Sequence, residues 1–295
     1  MTLSRRRFIA ITAAALSVPK GALARTHHWK GRALGAEAAI SLTGGAEAER
    51  ALQAALDRLR RVEATFNLFD PASELSRLNR AGHTPAASDD LITLCQITDR
   101  VHAVTGGMFD PTIQTAWEAL RRALPPRYDL TGWQRVARNG PGIRLGAGQR
   151  LSFNGIAQGF ATDAVTDVLA AHGFSQTLVN IGEYRAGSDA THAIGIADPL
   201  HGLVGQRRLK DGAIATSGPG AMSVRPGQSH ILHPRGTALP LWSSVTVEGA
   251  TAVWADALST AFCLMPKPEI AKTKARLKEA RRVVLVDAEG NLRSL

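Results

Sequence analysis

The stretch from Leu151 to Gly187 constrains the fold most, because it reads strand, glycine loop, helix, turn, strand in one unbroken run. Leu151 and Phe153 alternate with polar neighbours as a short half-buried strand does, and Asn154-Gly155 breaks that pattern. A helix follows at once: Ile156, Phe160, Ala164, Val165, Val168 and Leu169 fall on one apolar stripe, and His172-Gly173 supplies a stop signal. Gly155 and Gly159 therefore flank the first turn of a helix. Two readings of that turn are open. Its free N–H groups and dipole can hold an anion such as a phosphate, or its glycines serve only positive φ and tight packing.

The remaining helices and strands do not alternate strictly, which favours an α+β fold over a doubly wound parallel sheet. Strands are expected at 32–42, 177–181, 193–197, 213–216, 244–247 and 283–286, and helices at 46–62, after Ser73, from Ser88, 112–122, 251–265 and 268–281. Ser73 and Ser88 are candidate N-caps. Residues 127–142 carry a weak pattern and read as a connector.

Residues 1–24 are expected to form a twin-arginine-type signal peptide and residues 25–295 the functional domain. Arg5-Arg6-Arg7 precedes an apolar run from Ala10 to Val18, and Ala22-Leu23-Ala24 offers a small-x-small cleavage site. The expected destination is the periplasm, reached through the twin-arginine export machinery, which carries folded cargo and so favours a cofactor protein. Arg5, Arg6, Arg7 and Lys20 are the leader's share of the 35 basic residues, and it holds none of the 25 acidic ones, so the net charge drops from +10 to +6 on removal. That modest excess suits an anionic small molecule or membrane surface. No basic run or basic-aromatic interleave points to nucleic acid. The two cysteines, Cys95 and Cys263, each lie on an apolar helical stripe and read as buried thiols, although an oxidising compartment leaves a disulfide open.

Asp256 and Thr260 are four apart in a helix and project from one face, with Ser259 at i+3 from Asp256. One carboxylate and two hydroxyls form a hard-oxygen set that suits Mg²⁺ when phosphate supplies the rest of the shell. The same residues also fit a solvated helix face. Phe69, at the Asp70-Pro71 turn, can stack on a planar ligand or join the core. Asp110, before Pro111, can build a turn or aim a carboxylate into a cleft. Ser217 lies in no G-x-S-x-G elbow, so a hydrolase nucleophile is disfavoured. His230 can serve as a base or be structural.

The order of six motifs is more specific than any one of them. G-M-F-D-P-T at 107–112, N-G-I-A-Q-G-F-A-T-D at 154–163, L-V-N-I-G-E at 178–183, A-T-S-G at 215–218, S-H-I-L-H-P at 229–234 and A-D-A-L-S-T-A at 255–261 resemble the ApbE-like FAD:protein FMN transferases. The resemblance begins at F-N-L-F-D-P-A-S-E-L-S-R-L-N, 66–79, and covers nearly the whole chain after the leader. It implies an α+β fold with mixed or antiparallel sheets and flanking helices around a FAD-binding cleft. FAD would be the substrate, Mg²⁺ the cofactor, and FMN would be joined to a Thr or Ser of an acceptor flavoprotein with release of AMP. By motif match, Asp256, Ser259, Thr260 and the Gly155 carbonyl are the implied metal ligands. Phe69, Met108, Phe109, Asp110, Ser152 and Gln158 are the implied nucleotide contacts; His230, Asp256 or Asp110 can serve as the base that deprotonates the acceptor hydroxyl.

Three positions depart from the family pattern, which often has Asp at Ser152, Lys or Glu at Gln158, and D-P-x-T-G-x-P across 233–240. They keep open a periplasmic FAD carrier that does not cleave it, beside the same-site alternative of a FAD pyrophosphatase giving FMN and AMP. The N-G-I-A-Q-G-F-A-T-D wording is similar to a NosX-like subgroup linked to nitrous oxide reductase maturation. A membrane-bound, NosR-like flavoprotein with an FMN-binding domain would then be the acceptor.

Overall fold

A computed structural model describes residues 26–236 and 238–295. The expected leader, with Arg5, Arg6 and the small-x-small site, lies outside the described residues, as does Thr237. Eight strands form the main sheet: Thr26–Ala33, Ala36–Thr43, Leu178–Ile181, Tyr184–Ala186, Gly212–Ser217, Ser244–Gly249, Ala280–Val286 and Leu292–Ser294. They follow one another across the sheet in chain order, and every neighbouring pair is antiparallel. The α+β expectation is met, with the sheet wholly antiparallel.

Seven α-helices are described: α1 Ala46–Phe66, α2 Glu74–Ala81, α3 Asp89–Val104, α4 Gln114–Arg121, α5 Ala157–Ala171, α6 Ala252–Phe262 and α7 Lys267–Lys274. Ser73 Oγ accepts from Ser76 N–H at 3.1 Å and Ser88 Oγ from Leu91 N–H at 3.3 Å, so both serine caps form as the sequence indicates. The expected strand at 32–42 is instead a hairpin. Leu34 (φ 48°) and Gly35 (φ 81°) make its two-residue turn, and a leucine there hides the turn from sequence reasoning.

The largest core lies where α1, α5 and α6 pack on one face of the sheet. Phe66 anchors it, with ring centroids 5.8 Å from Phe153 and 5.6 Å from Phe160, both edge-on. A separate hairpin, His192–Asp198 with Gly202–Leu209, covers a second apolar cluster through Ile194, Ile196 and Leu209. Cys95 and Cys263 are buried free thiols, and burial pushes the Cys95 thiol up to about 12.

Leu151–Phe153, expected as a strand, joins no sheet. Asn79 clamps it instead: Leu151 N–H donates to Asn79 Oδ1 at 2.7 Å, and Asn79 Nδ2 donates to the Leu151 carbonyl at 2.8 Å. Ser152 N–H donates to the Pro111 carbonyl at 2.9 Å. The segment's backbone is satisfied by a side chain and a loop rather than by a ladder, and it delivers the Asn154-Gly155 turn to the start of α5.

Candidate active site

The helices α5 and α6 run antiparallel, and each closes the other's first turn. Asp256, in the second turn of α6, accepts from Gly159 N–H at 2.9 Å. Asp163, in the second turn of α5, accepts from Ala252 N–H at 2.8 Å and Val253 N–H at 2.9 Å. Neither helix has a side-chain cap from its own N-cap residue, so these carboxylates fill the N-terminal dipole sites in trans. A Cβ on Gly159 would stand 2.3 Å from the Ala252 carbonyl oxygen, so only glycine permits this approach. Both readings of the glycine turn are thus in play: Gly159 is a packing glycine, and the anion at the start of α5 is the protein's own Asp256.

The residues singled out by the A-D-A-L-S-T-A motif meet the glycine loop here. A Cβ on Gly155 would lie 3.0 Å from Thr260 Oγ1, so the loop backbone and that hydroxyl face each other at close range. Ser217, at the end of its strand, places Oγ 2.8 Å from Ser259 Oγ and 3.2 Å from Thr260 Oγ1. Ser259 also donates to the Asp256 carbonyl at 2.9 Å and is wholly buried. Its hydroxyl is engaged within the helix and with Ser217.

Asp256 is 3% exposed, not a solvated helix-face acid. Burial pushes its carboxyl up to about 7; Gly159 pulls it back and Asp163 adds to the rise. Glu183, which sequence reasoning left without a role although it ends L-V-N-I-G-E, is also buried and accepts from Thr216 N–H at 3.2 Å. Burial first and the Asp256 charge second raise Glu183 well above the usual carboxylate range. Two mutually repelling carboxyls in a dry site are relieved by a proton or a cation. Among the described residues no group of three or more His, Cys, Asp or Glu is disposed to hold a metal ion. A donor set of Asp256, the Thr260 hydroxyl and the Gly155 backbone is of a different kind, all hard oxygen, and fits a hydrated Mg²⁺ that takes its remaining ligands from phosphate and water.

The expected nucleotide contacts divide. Phe69, 57% exposed, and Gln158 line a shallow groove with Leu34, Phe66, Asn67, Leu68, Asn154 and Ala157. Gln158 Nε2 donates to the Leu34 carbonyl at 3.3 Å. Ser152 Oγ accepts from Asn154 N–H at 3.3 Å, bracing the turn. Met108 packs partly buried on the main core. Phe109 and Asp110 are engaged inside the protein. Phe109 is buried in that core. The Asp110 carboxylate accepts from Thr112 N–H (2.9 Å), Thr112 Oγ1 (2.5 Å) and Trp133 N–H (3.0 Å), so its oxygens organise the loop. Of its two readings, turn building is the one these bonds describe. His230 lies against the turn that leaves Ser217, with Nδ1 3.0 Å from the Met222 carbonyl. The Pro219 carbonyl also bonds the ring, so two backbone acceptors hold the imidazole in place. Burial holds its pKa below the usual histidine value.

This fold, with a glycine loop and a hydroxyl-carboxylate helix in contact, is that of the flavin transferases. Flavin Transferase ApbE from Vibrio cholerae superposes with a TM-score of 0.74 at 23% identity, covering 92% of this chain and 97% of that one. The ApbE protein from Thermotoga maritima gives 0.80 at 22% identity, covering 91% and 96%. Residues 34–285 match the ApbE family, and the chain belongs to it. A FAD:protein FMN transferase from Chlamydia muridarum is 28% identical over 252 residues, 74% of this chain and 76% of the relative. One from Chlamydia trachomatis is 29% identical over 236 residues, 68% and 71% respectively.

Proposed function

We propose that this protein is an exported, Mg²⁺-dependent FAD:protein FMN transferase that moves FMN from FAD to a Thr or Ser hydroxyl of a partner flavoprotein and releases AMP. The observation that carries the reading is the meeting of Gly155, Thr260 and buried Asp256 at the start of α5. Membership of the ApbE family and the transferase names of the Chlamydia relatives support it. The Arg5-Arg6 leader supports periplasmic export, and the N-G-I-A-Q-G-F-A-T-D wording supports a membrane-bound, NosR-like acceptor.

Asp256, Thr260 and the Gly155 carbonyl would hold the cation, and Phe69 and Gln158 would flank the flavin end of FAD in the groove they line. Held by these residues, Mg²⁺ would supply charge neutralisation for the pyrophosphate and the departing AMP. The acceptor oxygen forms a new bond to the FMN phosphorus while the bond from that phosphorus to the AMP oxygen breaks. His230 or Asp256 would take the acceptor's proton. An acceptor docked over the groove excludes water, which would otherwise give free FMN.

Incubation of the leaderless protein with FAD, Mg²⁺ and a periplasmic FMN-binding domain is expected to give a fluorescent acceptor band after denaturing electrophoresis. FAD consumed with the folded acceptor unmodified favours the pyrophosphatase instead. FAD bound and not consumed favours the carrier.

A pH dependence follows from Asp256. A carboxyl raised from 3.8 to about 7 by the fold binds a proton more tightly folded than unfolded. It therefore withdraws stability as pH climbs from about 4 to about 7. Metal must displace that proton, so Mg²⁺ affinity is expected to fall about tenfold per unit below pH 7. Thermal melts with Mg²⁺ and with EDTA should differ clearly at pH 8 and little at pH 5.5. Equal differences at both would remove Asp256 from the cation's ligands.

A further inference from the structure

Three hydroxyls meet at the end of the Gly212–Ser217 strand, and counting their hydrogens fixes the direction of each bond. Ser259 has one hydroxyl hydrogen, and it goes to the Asp256 carbonyl, 2.9 Å away. In the 2.8 Å contact between Ser217 and Ser259, Ser217 must then be the donor. That uses the only hydrogen of Ser217. In the 3.2 Å contact with Thr260 the donor must be Thr260. The reverse order would leave one of the oxygen pairs with no hydrogen between them, which is repulsive at such distances. The run therefore goes from Thr260 to Ser217 to Ser259 to a backbone carbonyl that can only accept.

Ser217 is held in place from several sides. Its strand pairs Ser217 with Val245 and Thr216 with Thr246, Glu183 accepts from the neighbouring Thr216 N–H, and the Cys263 thiol lies 3.6 Å from the Ser217 carbonyl. The oxygen that takes the Thr260 proton is thus fixed by the sheet rather than by the helix that carries Thr260. Thr260 Oγ1 is the hydroxyl that faces Gly155.

We propose that Ser217 is a positioning residue: it draws the Thr260 hydroxyl hydrogen away from the glycine loop and leaves Thr260 Oγ1 presenting lone pairs to a hard cation. This rests on the Mg²⁺ reading given above. A hydroxyl ligates through its oxygen, so a hydrogen turned toward the cation would oppose binding, and an outer partner that fixes its direction raises affinity. The A-T-S-G motif then supplies orientation to A-D-A-L-S-T-A, two segments that share no local contact in sequence.

The test is a titration of the leaderless, metal-free protein with Mn²⁺ alone, followed by electron paramagnetic resonance, with thermal melts in parallel. Ser217→Ala is expected to weaken Mn²⁺ binding about tenfold or more. Ser217→Thr, which keeps the hydroxyl, is expected to restore it, a rescue that loss of packing alone would not show. Thr260→Ala is the reference and is expected to weaken binding at least as much as Ser217→Ala. If Thr260→Ala weakens binding and Ser217→Ala does not, the relay is overturned while the cation reading stands. If Thr260→Ala binds as the wild type does, the cation reading falls and takes the relay with it. Should Ser217→Ala fail to fold, Ser217→Cys, nearly the same shape with a much weaker hydrogen-bonding group, decides by the same comparison.

Discussion

Asp256→Asn is expected to lower FMN transfer by at least about a thousandfold, since several kcal/mol of metal-borne charge stabilisation correspond to a thousandfold or more in rate. The asparagine oxygen can still accept from Gly159 N–H, so α5 keeps its cap. Removing the charge also removes the repulsion with Glu183, so in EDTA at pH 8 the variant should melt no lower than the wild type. Asp256→Ala behaves differently. The solvated helix face that the sequence left open for this residue would make its loss cheap for the fold; its burial and its bond to Gly159 rule that face out. Alanine leaves an uncapped N–H in the interior, at a cost of about 1–2 kcal/mol before any cavity is counted. Rates of AMP release and melting curves separate the two variants. Undiminished transfer by Asp256→Asn would take the carboxylate out of the chemistry.

Asp163→Ala is expected to have the largest effect on stability. Its carboxylate accepts from Ala252 and Val253 N–H and pairs with Arg185 at 3.0 Å. Truncation leaves two buried donors without acceptors and strips Arg185 of one of its two carboxylates, the other being Asp167. Broken buried networks of this kind cost about 3–5 kcal/mol, which for a chain of this size lowers the melting temperature by roughly 10 °C. Asp163→Asn, retaining one acceptor, should lose about half as much. A melting temperature within about 2 °C of the wild type for the alanine variant would show that α6 finds its cap elsewhere.

What could be read from the sequence was what depends on near neighbours. The caps at Ser73 and Ser88 lie beside the turns they close, and both form. Asp256 and Thr260 share a helix face through simple periodicity, and the order of motifs linked that face to Gly155. Residues whose partners lie far along the chain stayed hidden. Asp163 bonds residues 89 and 90 positions away, and Asn79 clamps Leu151 across 72. Glu183 looks like a strand-end acid until Asp256 is brought beside it. Ser217 was weighed only as a nucleophile, because nothing near it in sequence shows a hydroxyl partner. The motif carrying Phe109 and Asp110 did not reveal that Thr112, Trp133 and the core set the direction of their side chains.

The exchange of caps between α5 and α6 also sets when the site can come into being. During synthesis α5 emerges long before Asp256 is made, and until then its opening turn lacks the carboxylate that closes it. A nascent chain that stops short of α6 has strands and α1 to α5 but no place where Gly155 meets Thr260. Contacts of this sequence separation form late and slowly, so flavin and cation would find a receptive site only in a nearly complete polypeptide. Under the export proposed above, through a translocase that accepts folded cargo, assembly of the site and readiness for transport would be one event.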